Sequence, residues 1–261
     1  MINSLQNQRI KDIVKLSVDA RERRRQNLSV IEGAREFSLA VAGDYVIREL
    51  FVCDEFVSEE TLSLISKRKI PFEKVSVEGF QKMAYREKSD GVIAVLEARH
   101  LSLDTVRLSD NPFVIVLEAV EKPGNLGAIL RTADAAGVDV VLVCDPQTDI
   151  HNPNTIRSSL GCVFTQQMIA CTSQEALQWL KQTGISVFAA ELNASEWYHE
   201  TNFTQPSAIV MGTEANGLSD FWLKNADSRI KIPMRGYIDS LNVSVSTAII
   251  TFEAMRQRGF I

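Results

Sequence analysis

Cysteine is scarce in this sequence: Cys53, Cys144, Cys162 and Cys171 are scattered over 261 positions with no C-x-x-C pair. The three histidines, His100, His151 and His199, do not cluster with them. A disulfide framework and a zinc site both lack the spacing they need, so no metal is expected. The thiols read as buried or idle side chains in a reducing compartment. No apolar run approaches the roughly 20 residues of a membrane helix. The polar start, Met1-Ile-Asn-Ser-Leu-Gln-Asn-Gln-Arg-Ile, lacks the apolar stretch of a signal peptide. The expectation is a soluble, cytoplasmic protein with no membrane partner.

Nucleotide fingerprints are missing as well. Gly124-Asn-Leu-Gly127 is not G-x-G-x-x-G, and no glycine loop continues into Gly-Lys-Ser/Thr. No G-x-S-x-G elbow is present either. These absences weigh against hydride transfer and phosphoryl transfer, and so against a metabolic α/β enzyme built on such a nucleotide. An excess of positive charge is also lacking. The formal net charge is -5 and the sequence pI is about 5.4, which argues against a broad nucleic-acid-coating surface. Basic residues nonetheless crowd the opening segment, with Arg21, Arg23, Arg24 and Arg25 at its centre. That cluster is either an arm that grips a phosphate backbone or a solvated turn.

What is present is an ordinary globular composition, 45% hydrophobic and 23% charged, over a length that suits two domains or one large α/β unit. The apolar periodicity predicts a helix over 10–17, a strand over 28–31, a helix over 33–42 and a strand over 49–53. A helix over 59–67 and strands over 72–75 and 91–96 complete a small α/β domain, 1–100. Residues 101–112 carry Ser, Asp, Asn and Pro and read as a linker. A second domain, 113–261, opens on Phe113-Val-Ile-Val-Leu117, apolar on both faces as in a parallel sheet. Strands over 138–143, 185–189, 208–211 and 229–232 alternate with helices over 126–136 and 175–182, and a long helix over 243–256 ends the chain. Ligands of such sheets bind beyond the carboxyl ends of the strands.

Three segments follow strand ends and concentrate Gly, Asn, Glu and Ser. In the first, Pro123-Gly-Asn125-Leu-Gly-Ala-Ile-Leu-Arg131-Thr-Ala-Asp134, Asn125 is placed to cap a helix and Arg131 shares roughly its face. Capping explains Asn125 but leaves Arg131 without a partner. In the second, Met211-Gly212-Thr-Glu214-Ala-Asn-Gly-Leu-Ser219, Gly212 lets backbone approach a ligand closely. The plainer reading is a glycine turn leading into a helix near Ser219. In the third, Ile232-Pro-Met-Arg-Gly-Tyr-Ile-Asp-Ser240-Leu241-Asn242-Val-Ser-Val-Ser246, Ser240 or Asn242 can cap the last helix and leave a positive dipole end.

Together and in this order, the three segments resemble the motifs of the SpoU/TrmH family of SPOUT-class RNA 2′-O-ribose methyltransferases. The resemblance spans about 113–256. The first 100 residues resemble, with weaker motifs, the ribosomal-protein-like RNA-binding domain that often precedes this catalytic domain. The resemblance implies a parallel sheet with a trefoil knot, which generic topology rules would have argued against. It implies S-adenosylmethionine as cofactor, held at Met211, Gly212, Ile232 and Leu241, and a homodimer that completes the site. It assigns catalytic positions to Asn125, Arg131, Glu214, Ser240 and Asn242, with Arg131 binding the adjacent phosphate and helping to activate the hydroxyl. An arginine is a poor candidate for the base itself, because its pKa exceeds about 12. The expected reaction is methyl transfer to a ribose 2′-hydroxyl of structured RNA, with 23S-type rRNA favoured over tRNA. The alternatives are a tRNA 2′-O-methyltransferase and a non-catalytic RNA-binding or ribosome-assembly protein on a degenerate methyltransferase fold.

Overall fold

Asn7 starts the first helix, α1 (Gln8–Val18), by accepting a hydrogen bond from the Arg9 amide at 2.9 Å. Ile10, Ile13 and Leu16 form its buried stripe. Asp19 then caps α2 (Ala20–Gln26) by accepting from the amides of Arg21 at 2.8 Å and Glu22 at 3.2 Å. The arginine cluster is therefore helical, and one member is internal. Arg23 is 3% exposed and donates to the carbonyls of Leu16 at 2.6 Å and Ser17 at 3.2 Å. Those carbonyls belong to the last turn of α1, where no intrahelical donor is available. Arg25 pairs with Glu22 across the same helix.

The chain continues through β1 (Leu28–Glu32), α3 (Ala34–Ala42), β2 (Ile47–Val52), α4 (Glu59–Arg68), β3 (Glu73–Lys74), α5 (Val77–Met83) and β4 (Val92–Glu97). The strands form a sheet of order β1-β4-β2-β3, antiparallel except for the β2–β3 pair. Helix α5 has no counterpart among the expected elements. Its seven residues, VEGFQKM, are too few to show a helical period, although Ser76 caps it by accepting from the Gly79 amide.

The computed structural model describes residues 1–86, 89–147 and 149–260. These divide into two units, Met1–Arg99 with His151–Thr165, and His100–Ile150 with Gln166–Ile261. Residues 101–112, expected as a linker, thus belong to the second unit and include a 3-10 turn at Leu103–Thr105. Residues 151–165, expected within the 113–261 domain, belong to the first.

The second unit runs through β5 (Phe113–Glu118), α6 (Pro123–Ala136) and β6 (Val140–Cys144) before the chain enters the first unit as α7 (Pro153–Ser158). There Ile156, Val163 and Phe164 are buried, Phe164 meets Tyr45 edge-on at 5.0 Å, and the Ser29 hydroxyl donates to the His151 carbonyl. The second unit resumes with β7 (Met168–Cys171), α8 (Ser173–Gln182), β8 (Ser186–Ala190), β9 (Glu196–Trp197) and β10 (Ser207–Met211). It ends with α9 (Asp220–Asn225), β11 (Ser228–Lys231) and α10 (Val243–Gln257). Its sheet has the order β7-β6-β5-β10-β8-β11-β9, with every pairing parallel. β5, β6 and β10 are buried at every position, as strands covered on both faces must be. The fold is α/β with a small α/β unit and a parallel-sheet unit, and α10 packs against α6 and β10. No described helix is long and apolar enough to cross a membrane. The four cysteines are unbridged.

Arg23 offers a test of how α1 and α2 are joined. Arg23→Met should keep the apolar stem and leave the two carbonyls without their donor, lowering stability by about 1–3 kcal/mol. Thermal unfolding reads this directly, and an unchanged midpoint would mean that water satisfies those carbonyls.

Candidate active site

Parallel pairing in register aligns the loops that matter. Met211 at the end of β10 is the partner of Leu117 in β5, and Ile230 in β11 is the partner of Ala190 in β8. The segments after β5, β8, β10 and β11 therefore leave the same carboxyl edge of the sheet, where ligands of open parallel sheets bind. A cavity of about 560 Å³ opens there. Its lining includes Met211, Gly212, Ile232 and Leu241, the four positions singled out for the cofactor, and also Glu214 and Ser240.

Beside it, a hydrogen-bonded network joins three of the expected catalytic side chains. The Asn125 amide donates to Glu214 Oε1 at 2.9 Å, and the Asn242 amide donates to the same oxygen and to Asn125 Oδ1 at 3.2 Å. Lys122 Nζ donates to the other carboxylate oxygen. Lys122, and after it the Asn125 amide, hold the Glu214 carboxyl below the usual carboxylate range, and the same pairing raises the Lys122 ammonium. Asn242 is also the N-cap of α10, its Oδ1 accepting from the Ser244 amide at 2.9 Å. Its donor and acceptor ends thus serve different purposes.

Two expectations need correction. Asn125 does not cap α6. The helix begins at Pro123, a residue with no amide hydrogen to satisfy, so Asn125 lies inside the first turn with its side chain free to cross to Glu214. Arg131 is not on the Asn125 face either. Six residues at about 100° each place it roughly 120° around the helix and about 9 Å along it. Arg131 is exposed and, among the described residues, has no hydrogen-bond or ion-pair partner. Ser240 lies outside the network too, its hydroxyl donating to Asp239 Oδ1 at 3.1 Å.

Gly212 is required by the turn itself. A Cβ there would lie 2.2 Å from the carbonyl carbon and oxygen of Gly217. Thr213 and Gly217 exchange amide–carbonyl bonds at 3.0 Å, folding the loop back on the strand end, and Gly217 turns with φ of +66°. The tight turn presents Glu214. Ser219 anchors its far side, with amide and hydroxyl both donating to the Glu118 carboxylate, at 2.8 and 2.5 Å.

Lys122, Glu118, and the cavity residues Glu191 and Asn193 after β8 were not singled out from the sequence. Lys122 and Glu118 flank the first motif, so inspecting charged residues at strand and helix ends would have found them. Glu191, just after β8, carries the same signal, but Asn193 does not, and only the strand order β10-β8-β11 brings the two to the cavity. Among the described residues no group of three or more His, Cys, Asp or Glu is assembled to hold a metal.

A model for the SpoU rRNA methylase family matches residues 112–252, and one for the MRM3-like substrate binding domain matches 7–94. The Bacillus subtilis 23S rRNA (guanosine(2553)-2′-O)-methyltransferase RlmP is 30% identical, over 96% of this chain and 97% of that protein. The Thermus thermophilus tRNA (guanosine(18)-2′-O)-methyltransferase is 39% identical, over 62% of this chain and 84% of that protein. The crystal structure of the SpoU methyltransferase AviRb from Streptomyces viridochromogenes, in complex with the cofactor AdoMet, superimposes with a TM-score of 0.89. That match is 26% identical and covers 97% of this chain and 99% of the other. A family match over more than half of the sequence, joined to a relative that aligns almost end to end, shows that this chain belongs to the SpoU rRNA methylase family.

Proposed function

We propose that this protein methylates a ribose 2′-hydroxyl of 23S-type ribosomal RNA with S-adenosylmethionine as donor, working as a cytoplasmic homodimer. The observation that carries the reading is the Asn125–Glu214–Asn242 network, which ties the first motif segment to the second and third beside the cavity that those two line.

The cavity fits the cofactor. At about 560 Å³ it lies within the roughly 300–1,000 Å³ of ordinary small-molecule sites. Leu218, Ile230, Val243 and Ile250 give it an apolar wall, and Glu191, Asn193 and Ser240 a polar one. Backbone groups of Gly212, Ile232 and Leu241 would hold the nucleoside, while the apolar wall excludes water. When bound, S-adenosylmethionine supplies an electrophilic methyl group on sulfur.

The residues supply position and charge. In-line transfer needs the ribose oxygen held behind the methyl, so orientation carries much of the rate. Asn125, Glu214 and Asn242 form a rigid polar rim that orients the nucleotide. Arg131, exposed and without a partner among the described residues, keeps its guanidinium donors for a phosphate flanking the target ribose. A cation at that phosphate also favours the charge that develops as the hydroxyl loses its proton.

A second copy suits α10. Val243, Ile250 and Met255 are buried within the protomer, whereas Val245 and Phe252 are 46% and 41% exposed and lie seven residues apart on one stripe. Covering that stripe would also bring a second subunit toward the helix pair that carries Arg131 and Asn242. Ribosomal RNA is favoured because the relative named for 23S rRNA aligns across both units, and the one named for tRNA matches 62% of the chain. Unbridged cysteines suit a reducing cytoplasm. The trefoil knot expected from the resemblance belongs to the same reading, as the means of holding three distant loops at one edge.

Incubation with radiolabelled S-adenosylmethionine and unmodified total RNA, fractionated afterwards, should place label in rRNA. Arg131→Ala should lower the rate by on the order of 100-fold or more while cofactor binding by calorimetry is retained. Label confined to tRNA would replace the substrate, and full activity of the variant would remove the role given to Arg131.

The pH profile tests the Lys122–Glu214 pair. Because the Glu214 carboxyl is depressed, its contribution to the network is complete above the ordinary carboxylate range and is lost only as pH falls below it. Lys122→Met should return the carboxyl toward its ordinary range and move the acid limb of kcat/KM upward. An unmoved limb would show that Glu214 ionisation does not govern turnover.

A further inference from the structure

The segment between β11 and α10 has two populations of residues. Ile232, Met234, Asp239, Ser240 and Leu241 line the cavity, whereas Arg235, Gly236, Tyr237 and Ile238 do not. These four form an exposed tip in which Tyr237 shows 108% of its reference surface and Ile238 65%. A side chain added at Gly236 would meet nothing within 4 Å. Neither Arg235 nor Tyr237 has a hydrogen-bond, ion-pair or ring partner among the described residues. An aromatic ring and a cation are thus exposed to water, without a partner among the described residues.

Their distance from the chemistry is limited by the chain. Tyr237 is two residues from Asp239 and three from Met234, both cavity residues. At about 3.8 Å per Cα step, its Cα can be no more than roughly 8 Å from Asp239 and 11 Å from Met234. A ring on that Cα is within reach of the cavity mouth, where a nucleotide presenting its 2′-hydroxyl to the cavity must carry its base.

We propose that Tyr237 is a positioning residue that stacks on the nucleobase of the RNA nucleotide entering the cavity, with Arg235 taking an adjoining phosphate. This rests on the reading of the cavity as a methyl-transfer site. Single-stranded RNA is recognised by bases splayed onto aromatic faces, and every base offers a π-face. The neighbouring cation favours nucleic acid over a second protein surface as the occupant, because a base on the ring brings a phosphate beside it. Stacking places the nucleotide and leaves base identity to other contacts.

The test uses Tyr237→Ala, Tyr237→Phe and Arg235→Ala in the full-length protein, with an unmodified large-subunit rRNA transcript as probe. Tyr237→Ala should raise both the KM and the filter-binding Kd for this RNA by about tenfold. Its kcat should be much less affected, and its calorimetric affinity for S-adenosylmethionine unchanged. Tyr237→Phe should restore wild-type values, since the ring and not the hydroxyl makes the contact. Arg235→Ala should weaken RNA binding and flatten its salt dependence. Unaltered KM and Kd in Tyr237→Ala would overturn the proposal. So would a Phe variant as poor as Ala, or a changed sedimentation coefficient, which would assign the ring to a contact between copies. Filter binding does not depend on turnover, so the stacking contact is judged separately from the reaction: transcript binding without methyl transfer in any RNA fraction would count against the proposed function alone.

Discussion

The Glu214 carboxylate is the interaction on which the site depends. Asn125 lies 89 residues before it and Asn242 28 residues after it, yet both donate to one of its oxygens. Each donor stands at the N-terminal end of a helix, α6 or α10, where the helix dipole favours a negative charge. The carboxylate is therefore held by two amides, a lysine and two dipole ends. Three loops that could move separately share one acceptor. Displacing any one segment breaks at least one charge-assisted bond at Glu214, so the three segments are tied to one another.

Presenting that carboxylate requires the turn behind it. Gly212 has to accept the Gly217 backbone at a distance no Cβ allows, and Ser219 has to reach Glu118 at the end of β5. The strand that precedes the first motif thus fastens the loop of the second. β5 and β10 are neighbours in the sheet although 94 positions separate paired residues such as Leu117 and Met211, and adjacent strands bring their following loops together, so that side-chain bonds between those loops become possible.

Much of this was legible in the sequence. Strands such as Phe113–Glu118 and Ser207–Met211 announce themselves as continuous apolar runs, because a strand covered on both faces has no polar position. The four positions that the motifs single out, Met211, Gly212, Ile232 and Leu241, line one cavity. Other features were hidden for physical reasons. The role of Asn125 turned on whether Pro123 opens or precedes the helix, a one-turn difference that periodicity does not resolve. The affiliation of His151–Thr165 with the first unit could not be read locally, since its buried Ile156, Val163 and Phe164 would serve either core equally well.

Net charge was the least informative quantity, and the structure shows why. Several arginines that raise the basic count are committed internally. Arg23 serves two carbonyls of α1, Arg86 the buried Glu36, and Arg258 the carbonyls of Asn111, Phe203 and Gln205. Carboxylates are likewise spent on structure, Asp19 on a helix cap and Asp145 on the amide and hydroxyl of Ser173. What an RNA meets is the remainder after these internal uses. Arg131 and Arg235 belong to that remainder, both without partners among the described residues and both on segments that carry the site. Phosphate attraction would then be a property of position. On the reading proposed above, a chain with a formal charge of -5 would engage RNA through uncommitted cations on the segments that carry the site, not through its net charge.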